Sequence, residues 1–419
     1  MTKLFYGAGH NARLNINRWI SEGNTPVCFV DMDIDKQREP FIINDQAYQA
    51  FDVLSLQDAI LRYPDYELYL TQTTLNLLDI TNTLISQGIP KERIKYCEQV
   101  EYCKRCHSLG TMIMPVENGK KIVACCTPKI APKYNSSGNI EKDINILSEK
   151  CSEIISKLKN GLQTTCDNCP ELTYGMYLTN PKISILNLSS NFKNDACNFK
   201  CIYCSFDDRK TNTLTKETSS YFDSAYDVLK TIGKDSSIKT IDLNNGEITC
   251  SPHCEEIINI LKNNDFMGNI LTNASIYKQG IADLLASRKF TIGASLDAGT
   301  AETFAKVKGV DCFDRVVKNL KKYAATGGTI YLKYVFLENI NDNINDIDHF
   351  LSIAREIADK SNIKFSIDMF SGLCSDKIIK MIYYFIDKCK DMGMTPQPVL
   401  NTFQREDVIK IFKPGTEKS

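Results

Sequence analysis

The chain has 419 residues, 24% charged and 43% apolar, with Lys+Arg 50 against Asp+Glu 51 and a net charge of −1. This composition excludes a disordered tail, a collagen-like fibre and a coiled coil, and it leaves no global basic field to hold nucleic acid or an anionic membrane. At roughly 150 residues per domain the length predicts about three domains.

The first segment, 1–96, reads as α/β and Rossmann-like. A short strand at Leu4–Tyr6 runs into Gly7-Ala-Gly9-His10-Asn11-Ala12 and a helix over Leu14–Ile20. A second strand, Val27–Val30, ends at Asp31, a third falls at Glu67–Leu70, and a helix follows over Leu75–Gln87 with Gly88 at its C-cap. Strands alternating with helices imply a parallel sheet. The next segment, 97–176, has little periodicity, a helix near Ile144–Leu158 and an apolar content too thin for an independent core. Segments of this kind fold around a metal. From 177 to 372 a βα rhythm returns. Strands are expected at Ile183–Leu188, Lys239–Leu243, Asn269–Leu271, Thr291–Ser295, Thr329–Phe336 and Lys364–Met369, with helices such as Cys254–Lys262, Asp314–Tyr323 and Ile347–Ala358 between them. Six such units suggest an open, partial (β/α)6 version of the eight-stranded barrel, with function on the loops after the strand C-termini. The tail, 373–419, reads as two helices around an extended MTPQPV piece.

No stretch approaches the about 18 continuous apolar residues of a spanning helix, and the apolar run in MTKLFYGAGHNAR is too short for a signal peptide. A cytoplasmic location is expected, without membrane or nucleic-acid partners. The 17 cysteines would stay reduced there, and their pairs and triplets point to metal rather than disulfides.

The sharpest pattern is Cys197-Asn-Phe-Lys-Cys201-Ile-Tyr203-Cys204, directly after the first barrel strand. Three thiolates in one loop can hold three corners of an iron–sulfur cube and leave one iron open. A zinc site or unconnected core thiols would be the plainer reading. The C-x3-C-x2-C spacing, with an aromatic before the last Cys, resembles the signature of the radical S-adenosylmethionine (SAM) enzymes. Asn245-Gly246-Glu247-Ile248 after the second strand is similar to that family's G-G-E-P, Thr272-Asn273 follows the third strand, and Ser295-Leu296-Asp297 follows the fourth. Lys306-Val307-Lys308-Gly309 and Cys312-Phe313-Asp314-Arg315-Val316 come next, in the order of the peptide- and sugar-modifying branch. Asn245 and Ile248 depart from the family's Gly and Pro, and Lys308 stands where the family has Arg.

The resemblance implies that Cys197, Cys201 and Cys204 hold a [4Fe–4S] cluster whose fourth iron binds SAM. Glu247 would meet the SAM amino group, Gly246 would admit close backbone approach, and Tyr203 would lie beside the adenine. Ser295 and Lys333 would serve as ribose and carboxylate contacts. An electron, from a donor such as flavodoxin or ferredoxin, would split SAM to a 5′-deoxyadenosyl radical that takes hydrogen from a substrate.

Upstream, Cys103-Lys-Arg-Cys106, Cys125-Cys126 and Cys166-Asp-Asn-Cys169 offer four ligands out of six for an auxiliary iron–sulfur cluster or a zinc. Their spacing around Gly119 is similar to the twitch or SPASM domain of radical SAM enzymes, here placed before the barrel. Cys103 or Cys106 with Cys125, Cys166 and Cys169 is the favoured set, with His107 a lesser alternative. The Gly7–Ala12 loop with Asp31 suits a dinucleotide fingerprint, a substrate handle or a purely structural turn. Cys250, His253 and Cys254 stand close after Glu247, where a thiol could return hydrogen to a substrate radical, though packing is the plainer role. Cys28, Cys312, Cys374 and Cys389 read as core thiols.

The functional expectation is a radical SAM enzyme that oxidises or epimerises a sugar, nucleotide sugar or related metabolite. A peptide maturase is the alternative, and a metal-stapled binding or redox-sensing protein without turnover is the second.

Overall fold

The structure is a computed structural model that describes residues 1–402 apart from 44–48, 72–76, 107, 118, 126–130, 168, 170–171, 189–191, 193–194, 196, 205–221, 234–235, 245, 359–362, 368–373 and 400–401. The chain divides into two compact units, Met1–His107 with Leu158–Leu162 and Thr173–Pro181, and Ser108–Lys157 with Gln163–Leu172 and Lys182–Ser419.

The first unit runs β1 (Thr2–Tyr6), α1 (His10–Ser21), β2 (Cys28–Val30), α2 (Ile34–Gln37), β3 (Phe41–Ile43), β4 (Gln49–Phe51), β5 (Val53–Leu54), α3 (Leu56–Arg62), β6 (Tyr66–Leu70), α4 (Leu77–Ser86), β7 (Ile94–Tyr96) and β8 (Val100–Arg105). Five of these strands form a parallel sheet in the order β5-β2-β1-β6-β7. Successive side chains leave a strand on opposite faces, so Leu4 joins Cys28, Val30 and Leu68 in one core while Phe5 joins Trp19 and Phe29 in another. Both faces are therefore covered, as a parallel sheet requires. Strand β1 lies where the order reverses, between β2 and β6. β3 pairs with β4, and β8 pairs antiparallel with β12 (Thr173–Leu178).

The second unit contains β9 (Met112–Val116), β10 (Lys121–Val123), β11 (Tyr134–Asn135) and α5 (Ile140–Lys159) before the βα series. That series is β13 (Ile185–Leu188), α6 (Ala225–Lys230), β14 (Thr240–Leu243), α7 (Cys254–Asn263), β15 (Met267–Leu271), α8 (Gln279–Ala286), β16 (Phe290–Ser295), α9 (Ala301–Lys308), α10 (Phe313–Ala324), β17 (Ile330–Phe336), α11 (Ile344–Ile357), β18 (Ile363–Ile367), α12 (Asp376–Asp391) and β19 (Pro396–Pro398). The sheet order is β11-β10-β9-β13-β14-β15-β16-β17-β18-β19. From β9 to β19 every pairing is parallel, and β10 and β11 add an antiparallel edge. The expected six strands are all present, as an open partial barrel. Alternate residues such as Ile241, Leu243, Ile270, Ile292, Leu332 and Phe365 pack with Ile257, Leu285, Leu320, Phe350 and Phe385 of the helices into one core.

Two elements differ from the sequence reading. Met112–Val116, in the segment read as lacking a core, is a wholly buried strand that extends the barrel sheet parallel to β13. Its Pro115 is the reason it was missed, because proline argues against an inner strand; here Pro115 stands opposite Ile122 of the short β10. In the tail, one helix, α12, is followed by Pro396–Pro398, which pairs parallel with β18. The second expected helix lies outside the described residues.

Candidate active site

The loops that leave the C-terminal ends of β13 to β17 carry the candidate site. The three-cysteine loop follows β13. Desolvation, together with the Glu247 carboxylate and the other two thiols, pushes the Cys197 thiol up to about 11. Burial likewise raises Cys201, against the pull of the Lys308 ammonium, and the charge of Cys204 adds to it. The three sulfurs thus lie within electrostatic reach of one another. Among the described residues no three Cys, His, Asp or Glu side chains converge on a single ion. A cube asks for something else, one thiolate on each of three separate irons, and iron's positive charge favours the thiolate form that the bare loop disfavours. By its donor chemistry the triplet fits a [4Fe–4S] group.

A buried ion pair fixes this loop. Lys308, at the end of α9, binds the carboxylate of Asp297, with side chains 3% and 0% exposed. The Lys308 Nζ also donates to the Tyr203 hydroxyl at 2.7 Å, and that hydroxyl donates to Asp297. The backbone adds Lys200 N–H to Lys308 C=O at 2.9 Å and Ile202 N–H to Val307 C=O at 3.0 Å. Gly309 makes the approach possible. It caps α9 at φ 67°, and a Cβ there would meet the Lys200 backbone oxygen at 2.9 Å. Asp297 in turn accepts from Val335 N–H at 2.8 Å, and its own carbonyl accepts from Asn341 Nδ2 at 2.8 Å. Sequence reasoning assigned no role to Lys308, although its position in the Lys-Gly step was visible.

Glu247 is 1% exposed. Its Oε1 accepts from Thr249 N–H at 3.1 Å, Thr249 Oγ1 at 2.8 Å and Thr272 Oγ1 at 2.8 Å, and its Oε2 accepts from Asn273 N–H at 2.5 Å. Burial raises its carboxyl above the usual range, and these four donors pull it back. The carboxylate therefore clips the loops after β14 and β15 together, and a lone pair of Oε2 is left for a further donor. Gly246 has φ 53°, a left-handed backbone that suits glycine. Asn273 reaches the cluster loop, with Nδ2 at 3.8 Å from Cys197 Sγ and 2.8 Å from Asn198 Oδ1. Ser295 ends β16 in register with Lys333 of β17. Desolvation lowers the Lys333 ammonium, against the pull of Asp297. Asn245 and His107 lie outside the described residues.

Near this site Cys254 is buried in the main core, and the His253 ring stacks on Tyr226 with centroids 4.6 Å apart. Burial, with Glu247 nearby, raises the Cys250 thiol. Cys28 and Cys389 are core thiols, and Cys312 and Cys374 pack against the core.

The upstream cysteines divide between the units. Cys103 and Cys106 belong to the first, on and just after β8, within electrostatic reach of the Tyr177 hydroxyl. Cys125, Cys166 and Cys169 belong to the second, where Cys169 N–H donates to Cys166 C=O at 2.9 Å. Cys126 lies outside the described residues. In the first unit, a cavity of about 320 Å³ opens at the ends of β1, β2 and β6, lined by Gly7, Gly9, Asn11, Asp31, Lys36 and Thr71 among others. Asp31 there is engaged by its own chain, accepting from Ala8 N–H at 2.8 Å and from Lys36 at 3.0 Å.

Comparison with known proteins agrees with the barrel. Residues 193–351 match the family model of the Radical SAM superfamily. A "Probable GTP 3',8-cyclase" of Saccharolobus islandicus (strain L.S.2.15 / Lassen #1) is 29% identical over 164 residues, 38% of this chain and 50% of that protein. One from Saccharolobus solfataricus is 30% identical over 147 residues, 34% and 45% of the two chains. The chain thus spans about half the length of the curated relatives it matches. The solved structure of Streptococcus suis SuiB bound to S-adenosylmethionine is similar at 15% identity and a TM-score of 0.40, over 61% of this chain and 55% of that one. No helix among the described residues is long and apolar enough to cross a membrane. The superfamily implies a [4Fe–4S] cluster and SAM as cofactors, and residues 193–351 of this chain are the part that matches it.

Proposed function

We propose that the chain is a radical SAM enzyme acting on a sugar, nucleotide sugar or related metabolite, with oxidation or epimerisation as the outcome. The observation that carries this is the three-thiol loop at the strand ends, held by the buried Asp297–Lys308 pair through Tyr203. Cys197, Cys201 and Cys204 hold the cluster. The remaining lone pair of Glu247 Oε2 receives the SAM amino group, and Gly246 admits the close approach of the backbone. Ser295 and Lys333 take its ribose and carboxylate. Tyr203, anchored by its hydroxyl, offers its ring to the adenine. Bound, the cofactors supply hydrogen-atom abstraction, with the electron coming from a donor such as flavodoxin or ferredoxin. A second metal, iron–sulfur or zinc, takes four ligands from among Cys103, Cys106, Cys125, Cys126, Cys166 and Cys169. The relatives' printed name, a GTP cyclase, supports the nucleotide side of the substrate class.

The test is anoxic reconstitution, reduction and assay for 5′-deoxyadenosine. Wild type should form it, and Cys201→Ala should form none while keeping the second metal. Reduced protein with about eight irons that leaves SAM intact would falsify the reading, as would zinc at the triplet. Stimulation of cleavage by a peptide and by no sugar would move the substrate to the maturase alternative.

A further inference from the structure

The inward face of the barrel sheet is polar. Barrel interiors are filled by branched apolar side chains, and the helix-facing residues of this sheet are of that kind. The alternate positions instead carry Asp242 on β14, Asn269 on β15, Thr291 on β16, Tyr331 on β17 and Lys364 on β18, all half-buried. A hydrogen-bonded belt joins three of them, from Thr291 Oγ1 to Asn269 Oδ1 at 2.9 Å and from Asn269 Nδ2 to the Tyr331 hydroxyl at 3.0 Å. Gly293 clears the space for it, because a Cβ there would meet the Tyr331 hydroxyl at 2.3 Å.

Two groups stand outside the belt. Lys364 rests its ammonium over the Tyr331 ring, 3.9 Å from the centroid. Asp242 is near enough to pull on Lys364 electrostatically. Among the described residues, neither makes a hydrogen bond or an ion pair. Both keep some exposure, so each offers an unbonded acceptor or cation that a ligand in the lumen can complete in place of water. Asp242 accepts from hydroxyls, Lys364 binds an anion, and the phenol and carboxamide between them suit further hydroxyls.

We propose that this lumen is the substrate-recognition pocket, and that it takes a sugar bearing a phosphate or carboxylate, with the anion on Lys364 and hydroxyls on Asp242. The proposal rests on the radical SAM reading and adds the residues and charge of its substrate.

Equilibrium dialysis of the anoxically reconstituted protein tests it, with glucose 6-phosphate, UDP-glucose, glucuronate, glucose and a short acidic peptide as probes. At least one charged sugar should bind more tightly than glucose. Lys364→Gln should weaken that binding tenfold or more, Lys364→Arg should retain most of it, and Asp242→Asn should weaken it severalfold. Iron content and far-UV circular dichroism report that the variants are folded. Equal binding of glucose, unchanged affinity in Lys364→Gln, or binding of the peptide alone would overturn the proposal, as would binding of none of the probes. SAM cleavage is measured on the same wild-type samples. Absence of 5′-deoxyadenosine removes the parent reading, whereas cleavage with Lys364-independent binding removes the lumen site alone.

Discussion

Two carboxylates in this chain sit beyond the ends of parallel strands and pair with a lysine a few residues downstream. In the first unit Asp31 follows β2 and meets Lys36, with side chains 11% and 41% exposed. In the second, Asp297 follows β16 and meets Lys308, and both are buried. Each carboxylate also accepts from a backbone amide, Ala8 N–H in one case and Val335 N–H in the other. The same device does different work in the two settings. Solvent screens the first pair, which lines the cavity of the first unit. Burial makes the second pair obligatory, because neither charge has water to fall back on.

That contrast predicts unequal costs for one substitution. Lys36→Ala should change stability by about 1 kcal/mol or less. Lys308→Met removes the counter-ion of Asp297 and one donor to the Tyr203 hydroxyl, and should cost about 3–5 kcal/mol. Denaturant titration of both variants under anoxic conditions measures the difference, and equal midpoints would break the comparison. Lys308→Met should also loosen the cluster loop, seen as lower iron occupancy after reconstitution.

The pairing between Asp297 and Lys308 was beyond sequence reasoning because it depends on where α9 returns. The Ser-Leu-Asp and Lys-Gly steps were each visible, but nothing in the spacing brings Lys308 back under Tyr203. The strands β13 to β18 were legible because their apolar runs alternate with helical stretches of the right length. β9 was not, since Pro115 hides an apolar run that only the neighbouring β13 makes into a strand. Glu247 was legible as a site residue by its motif. Its four internal donors were not, because Thr272 and Asn273 reach it from another strand end. The polar lumen was legible only after the pleat was known. Asp242, Tyr331 and Lys364 look unremarkable in sequence, and their common face follows from register.

The lumen carries a third acid–base couple, and it sharpens the comparison because it forms no bond. Burial pushes the Asp242 carboxyl up to about 6 from its ordinary 3.8, with Lys364 pulling the other way. The folded state then holds a proton more tightly than the unfolded chain between these values. Stability falls as pH rises through that window, by ~2–3 kcal/mol, and stays lower above it. Asp242→Asn should flatten that slope in denaturation measured from pH 4 to 7. A ligand anion on Lys364 should steepen the slope, because it cancels the ammonium's pull on Asp242, whereas hydroxyl donors on Asp242 should shrink it.

The smallest effect concerns where polar hydrogens are spent. In the first unit the glycine-loop amide of Ala8 goes to a carboxylate, whereas at the barrel mouth the Asn273 carboxamide reaches toward Cys197 Sγ and Asn198. A donor near a cluster sulfur stabilises the added electron of the reduced state, so its loss should lower the reduction potential. One neutral hydrogen bond is worth about 0.5–1 kcal/mol, or some tens of millivolts for one electron. Asn273→Ala should therefore shift the midpoint negative by that amount in an anoxic redox titration monitored by electron paramagnetic resonance. Its backbone bond to Glu247 survives the substitution, so the SAM-binding loops should keep their positions. A positive shift, or none, would mean that the carboxamide serves Asn198 and the loop's shape, with the sulfur untouched.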